Sequence, residues 1–297
     1  MSKGLHGDGG PRRTVAWIDG EWHDSRETAN GRLELIDPTA NGLWLGMTVF
    51  DGARVFSNAA PDLDRHCARV VRSAEKLGLA PDRSGAEIEA LARDGIAMFG
   101  PDTALYICPV FTGDCMSVIT DDDETRFMML VREAPMPEPK GFTVCQVPQR
   151  RPARDMAPTD AKASCLYPNV IRGMRAAQAK GFDQGVVLDP NGNVAEFSFS
   201  NLFMVKDGAV HTPADNGTFL NGITRQRIVR LLQDDGVTVE ERCIDFDELL
   251  DADELFATGN YSKVSPCTRV EDHDMPFGDI TKRARNLYWE WARDRNV

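Results

Sequence analysis

Six prolines crowd the middle of this 297-residue chain, three between Glu133 and Lys140 and three more between Val147 and Pro158. Proline fixes φ and removes a backbone donor, so a stretch this rich in it, with Arg150, Arg151 and Arg154 interspersed, reads as a boundary between two folded units. The length is enough for two domains with their own cores. The expected division is a disordered lead-in over 1–13, a small N-terminal α+β domain over 14–140, an interdomain linker over 141–158 and a larger domain over 159–297.

Periodicity fills in the elements. Thr14 to Trp22 alternates and turns at Asp19-Gly20, predicting a hairpin. Trp44 to Phe56 reads as β-rich, broken by Gly46 and Gly52. Apolar residues at 63, 67, 70, 71, 74 and 77 predict a helix over Asp62 to Leu79, with Gly78 at its end. A helix over Gly85 to Phe99 and strands over Thr103 to Thr112 and Thr125 to Arg132 follow. Beyond the prolines the pattern predicts a helix over Ser164 to Lys180, a strand over Gly185 to Asp189 and a strand hairpin over Val194 to Val205. It ends with a helix over Ile223 to Leu232, strands over Val237 to Cys243 and Glu254 to Thr258, a short helix begun by Asp247-Glu248 and an amphipathic helix over 279–295. Strands and helices mixed in both halves, without a regular βαβ succession, give an α+β class.

Composition narrows the partners. A formal charge of -12 repels phosphate backbones and anionic lipid, which argues against nucleic-acid and membrane-surface binding. No apolar run approaches a membrane span, and residues 1–13 hold no signal-peptide core. Seven scattered cysteines without a C-x-x-C pair point away from zinc and from a disulfide framework, and towards a reducing cytoplasm.

Three places carry chemistry. Lys162 lies in Asp160-Ala161-Lys162-Ala163-Ser164-Cys165, among small and weakly charged neighbours that suit an amine stripped of water to act as a nucleophile. Glu196 follows thirty-four residues later in Val194-Ala195-Glu196-Phe197, a carboxylate among apolar side chains. Phe219-Leu220-Asn221-Gly222-Ile223-Thr224-Arg225 is a glycine turn opening a helix, whose free N–H groups suit an anion; Gly259-Asn260 is a similar second loop. Each alone is ordinary: most lysines are solvated surface charges, and Glu196 could sit on an exposed alternate face. Together, an imine-forming lysine, a carboxylate for a pyridinium nitrogen and a phosphate seat are what pyridoxal phosphate requires of a protein.

The set resembles the fold-type IV pyridoxal-phosphate aminotransferases, the class IV group that contains branched-chain, D-amino-acid and (R)-amine transaminases, over roughly residues 14–280. The motifs are Lys162 with Tyr167 and Glu196, Glu196-Phe197-Ser198-Phe199-Ser200-Asn201-Leu202-Phe203, Leu220-Asn221-Gly222-Ile223-Thr224-Arg225, and His66-Cys67-Ala68-Arg69 with Ser73-Ala74. The resemblance implies that Lys162 carries the cofactor as an imine and then shuttles a proton, while Tyr167 bonds the ring O3′ and Glu196 the ring nitrogen. It also implies that Arg69, Gly222, Ile223, Thr224 and Asn260 surround the phosphate, and that Leu220 packs on the ring. It implies amino transfer to a 2-oxo acid such as 2-oxoglutarate or pyruvate, and a homodimer with active sites at the interface.

Phe50, Gly52 and Arg54 match the branched-chain pattern G-x-x-V-F-E-G-x-R, with Asp51 in place of its glutamate. Tyr106-Ile107-Cys108-Pro109 stands where that subgroup reads Y-I-R-P, so Cys108 replaces an arginine expected to help bind the substrate carboxylate. The usual G-T-A turn is Gly259-Asn260-Tyr261, with Tyr261 narrowing the substrate pocket. Lys263 or Arg54 could supply the missing charge, and either could equally lie on the surface. A branched-chain-like amino acid is therefore the leading donor. The alternatives are an (R)-amine or D-amino-acid transaminase, an aminodeoxychorismate lyase on the same scaffold, and a cofactor-binding protein without turnover.

Overall fold

The computed structural model describes residues 12–33 and 36–294. Two β-sheets organise it. The first contains β1 (Thr14–Ile18), β2 (Glu21–Asp24), β3 (Thr48–Phe50), β4 (Ala53–Val55), β5 (Leu105–Gly113) and β6 (Thr125–Glu133), in the order β2-β1-β6-β5-β3 with β4 also on β5. Every pairing in it is antiparallel. The register against β5 runs unbroken from Phe50↔Val110 to Ala53↔Ile107, so β3 and β4 act as one strand interrupted at Asp51-Gly52.

Trp44 belongs not to a strand but to a short helix, α1 (Asn41–Trp44). Helices α2 (Leu63–Leu77) and α3 (Gly85–Ala97) cover one face of the sheet. Gly78 stops α2 at a φ of 79°, and a Ser84–Glu87 capping box starts α3. Their apolar stripes, with Val15, Val49, Ile107, Phe111, Met129 and Val131, form one core, to which Ala161 and Ala163 also belong. Arg13, expected in a disordered lead-in, instead forks onto the buried carboxylate of Asp24; residues 1–11 lie outside the described residues.

The second sheet contains β7 (Phe142–Arg150), β8 (Gln184–Leu188), β9 (Val194–Phe197), β10 (Asn201–Lys206), β11 (Ala209–Pro213), β12 (Val239–Arg242), β13 (Glu254–Gly259), β14 (Lys263–Val270) and β15 (His273–Asp274). Its order is β12-β11-β10-β13-β14-β7-β8-β9, with β15 on β14. Helix α4 (Tyr167–Ala179) packs beside β7 and β8. Helices α5 (Ile223–Asp234) and α7 (Asp279–Arg293) cover Phe203, Phe256 and Val264, and the short α6 (Phe246–Leu250) sits over a third apolar group.

Two expectations change here. The segment expected as a linker is in part a strand, because β7 pairs in parallel with β14 through residues 142–144 and with β8 through 144–150. Pro148 is tolerated because it falls past the β14 pairing, where the register with β8 shifts between Gln146 and Arg150. Nor do Val194 to Val205 form a hairpin: β9 pairs with β8, whereas β10 pairs with β11 and β13. Only Ser198 to Ser200 join β9 to β10, so the sheet curls until its β9 edge returns to β10. That curl carries Glu196 and Asn201 to neighbouring positions at one mouth of the sheet.

Candidate active site

Lys162 is placed by its neighbours. Ala161 and Ala163 are buried in the first core, and Ala163 bridges Val49 of β3. Side chains alternate along extended chain, so the one between them points away from that core. The backbone of Lys162 is held on both sides: its N–H donates to Ser73 Oγ of α2 at 3.1 Å, and its carbonyl accepts from the Phe50 N–H at 3.1 Å. The Nζ donates to Tyr167 Oη at 2.8 Å and stands 4.8 Å from the centre of the Phe50 ring. Phe50, Tyr167 and Phe199 form an aromatic run, with centroids 5.2 and 6.2 Å apart.

Glu196, open in the sequence to an exposed placement, is buried on β9 opposite Val187. Burial pushes its carboxyl above the usual range, against the opposing charges of Arg151 and Lys162. Arg151 Nε lies 3.4 Å from Glu196 Oε1 and donates to the Thr218 carbonyl at 3.0 Å. Sequence reasoning missed Arg151 as a site residue. Its only signal was a place among the arginines and prolines read as linker.

Opposite, Arg69 is gripped by Asp51, its Nε at 2.6 Å from Oδ2 and its Nη2 at 2.8 Å from Oδ1. His66 Nδ1 is 2.7 Å from the same Oδ1, and the Gly52 N–H donates to it at 2.6 Å. Asp51 has no exposure. Burial alone would raise its carboxyl, but Arg69 and His66 outweigh that and hold it far below the usual range. Burial conversely keeps the His66 ring biased towards its neutral form. Arg69 Nη1 is buried without a partner. Beyond it, α5 begins at Gly222 with no side-chain cap, leaving its first N–H groups to another acceptor. A methyl on Gly222 would stand 2.2 Å from Asn201 Oδ1, so only glycine fits; Asn201 Nδ2 also donates to the Leu220 carbonyl at 3.0 Å. Ile223 and Thr224 are buried there, while Arg225 is turned away onto Glu241 and the Pro213 carbonyl. An orphaned guanidinium donor beside an uncapped helix start suits a phosphate.

The residues expected on the substrate side cluster across β4 and β5. Arg54, opposite Tyr106 in register, is wholly buried. It donates to the Ala134 carbonyl at 2.5 Å and stands 5.5 Å from the centre of the Tyr261 ring, and its Nε and Nη1 have no partner. Burial lowers its guanidinium to about 10. A Cβ at Gly52 would lie 2.3 Å from Tyr106 Oη and 3.2 Å from Asn260 Nδ2, so these polar groups converge on that glycine. Burial pushes the Cys108 thiol up to about 12, making it a neutral wall. Lys263 is no surface charge either: it is fully buried at a φ of 60°, donates to Asn260 Oδ1 at 2.7 Å, and is drawn down to about 7 by burial and by Arg54. Asn260 Nδ2 and Thr258 Oγ1 are buried without partners. Thr258 and Lys263 carried no motif, and their burial appears only in three dimensions.

The profile of the family described as "Amino-transferase class IV" matches residues 48–270. This chain belongs to that family. The "Probable branched-chain-amino-acid aminotransferase" of Rickettsia felis is 32% identical over 255 residues, 83% of this chain and 87% of that protein. An aminotransferase from Brucella abortus, bound to the co-factor PLP, superposes with a TM-score of 0.90 at 47% identity, over 95% of this chain and 99% of that one. The branched-chain aminotransferase of Thermoproteus uzoniensis with norvaline gives 0.86 at 26% identity, over 95% and 96%. This aminotransferase shares the mixed α+β fold of those structures, with its two sheets.

Removing one partner of a buried ion pair costs about 3–5 kcal/mol. Asp51→Asn should therefore lose about that much in urea unfolding near neutral pH, and Asp51→Glu markedly less. Because the carboxyl is held below its unfolded value of about 4, its contribution is present above that pH and lost as pH falls below it. A wild-type midpoint for Asp51→Asn would show that the cluster adds nothing to stability.

Proposed function

We propose that this enzyme moves the amino group of a branched-chain-like amino acid to a 2-oxo acid such as 2-oxoglutarate or pyruvate, in two half-reactions. The observation that carries it is the juxtaposition of a Lys162 amine held on Tyr167, a buried Glu196, and an Arg69 with one donor left open. Its cofactor is pyridoxal 5′-phosphate, whose electron-poor ring, when bound, supplies the sink that makes loss of the donor's Cα proton feasible.

The chain's residues then divide the work. Lys162 Nζ, fixed on Tyr167 at 2.8 Å, would take the proton from the donor's Cα and deliver it to the cofactor carbon C4′ that keeps the amino group, and would carry a proton the opposite way, onto the Cα of the 2-oxo acid, in the second half-reaction. Glu196, kept out of water, holds a proton at the ring nitrogen, and Arg151 orients the carboxyl. Arg69 Nη1, the N–H groups at Ile223 and Thr224, and the Asn260 loop hold the phosphate, with Leu220 against the ring. Phe50, Tyr106, Cys108 and Tyr261 shape the substrate side.

The match of Phe50, Gly52 and Arg54 to the branched-chain pattern supports an amino acid as donor, as do the names of the relatives. Arg54 offers two open donors where Cys108 offers none, and we assign it the substrate carboxylate. Cys108 also favours a second reading, an (R)-amine transaminase, because no arginine stands at that position. Seven unpaired thiols suit a reducing cytoplasm.

We also assign a homodimer. Asn41 ties α1 to the loop after β5, bonding the Cys115 and Ser117 carbonyls, and both pieces expose apolar side chains: Leu43, Trp44, Met116, Val118 and Ile119. A second copy would cover that face.

Three outcomes are expected. L-leucine should convert the visible band of the purified protein from its cofactor-loaded form to the pyridoxamine form, and Lys162→Ala should abolish this. If (R)-1-phenylethylamine or a D-amino acid works and L-leucine does not, the donor assignment fails. Arg54→Gln should lower the preference for amino acids over amines by roughly ten- to a hundredfold in kcat/KM, the effect of one charge-assisted contact; an unchanged ratio would remove Arg54 as the anchor. Sedimentation equilibrium should return twice the chain mass, and a monomer at micromolar concentration would remove the dimer.

A further inference from the structure

Arg65, Arg69, Arg72 and Lys76 are spaced four, three and four apart, which lines them along one face of α2. They border a cavity of about 570 Å³ whose far wall is the loop at 215–221 leading into α5, with Arg154 at its side. The carboxylates near this stripe do not balance it. Lys76 and Arg154 share one, Asp160, at 2.6 and 3.2 Å. Arg65 lies 3.6 Å from Asp62, which is engaged more closely by Arg227 at 2.5 Å. Asp215 turns to the Asn221 amide. Arg72 has neither a hydrogen bond nor an ion pair among the described residues, and it is exposed on the cavity side. A chain of net charge -12 therefore concentrates unmatched positive charge in one cavity.

We propose that this stripe is an outer capture site for a phosphate monoester, drawing the cofactor phosphate-first towards the inner seat at Arg69. The inference rests on the reading that Arg69 and the start of α5 hold the cofactor's phosphate. A dianion approaching this protein meets repulsion over most of the surface, and the cavity gives it one attractive approach. Arg69 suits the inner seat because Asp51 immobilises its fork, leaving Nη1 open. Arg72, one turn further along and unpaired, suits transient capture: it can meet a phosphate without first giving up another partner. Lys76 and Arg154 can exchange their shared carboxylate for the incoming anion.

The test is stopped-flow tryptophan fluorescence on the full chain stripped of cofactor, using 4-deoxypyridoxine 5′-phosphate, which has the phosphate but no aldehyde. The second-order binding rate should fall about threefold in Arg72→Gln and about tenfold in Arg72→Glu at low ionic strength, within the range that electrostatic steering gives. Both effects should shrink below about twofold near 0.5 M salt, where screening acts over a few ångströms. The dissociation rate, the thermal midpoint, the turnover of the fully loaded enzyme and the binding of phosphate-free pyridoxal should stay at wild-type values. Inorganic phosphate should slow capture in the wild type more than in Arg72→Glu. Equal binding rates in all three proteins at low salt would reduce Arg72 to an ordinary surface cation and overturn the proposal. So would an effect confined to the dissociation rate, which would put Arg72 in the final seat. A wild type that fails to bind the phosphate probe at all would instead sink the cofactor-phosphate reading itself.

Discussion

A carboxylate cut off from water must be met by protein groups, and Asp51 is met on every side. Two Arg69 donors, the His66 ring and the Gly52 N–H converge on it. Those contacts lock the break between β3 and β4 onto α2, and other parts of the site hang from the same point. The Phe50 N–H, one residue away, holds the carbonyl of Lys162. Ser73, one turn along α2 from Arg69, holds its N–H. Gly52, on the other side, gives Tyr106 and Asn260 their approach. The lysine, the open arginine donor and the approach of Tyr106 and Asn260 are thus positioned by one buried ion cluster.

The other half of the site depends on how the second sheet closes. Because β9 and β10 are consecutive but do not pair, the three residues between them cross the mouth of the curled sheet. Glu196 ends up on one side of that crossing and Asn201 on the other. Asn201 then holds the Leu220 carbonyl and presses against Gly222, fixing where α5 begins. The carboxylate and the uncapped helix end are thereby linked through a three-residue crossing and the side chain of Asn201.

Much of this was legible in the chain, and the gaps have physical causes. Helix α2 was readable because a 3.6-residue stripe and a glycine stop agree on it, and β1–β2 because alternation meets an Asp-Gly turn. Strand β7 was not, because Pro148 argues against a strand unless the register shift that accommodates it is already known. The supposed hairpin at 194–205 failed because alternation identifies strands but not their partners. Lys162, Tyr167, Glu196 and Arg69 were singled out as candidates through motif spacing. Arg151, Thr258 and Lys263 lie outside any motif, and the burial of Arg54 and Lys263 is a tertiary outcome that local composition runs against.

That burial bears on specificity. Arg54 has two N–H donors without partners, and Asn260 and Thr258 have one orphaned polar atom each. Leaving a buried donor unpaired costs about 1–3 kcal/mol, more for a charged group. If Arg54 takes the substrate carboxylate, as proposed, a substrate without one leaves the guanidinium open, whereas one that carries it closes the deficit. On the proposed assignment, the loss of an arginine at Cys108 does not convert the pocket into one for neutral amines. It moves the carboxylate from the strand position of Cys108 towards Arg54, beneath Tyr261. The ring of Tyr261, 5.5 Å from that guanidinium, would border the same space.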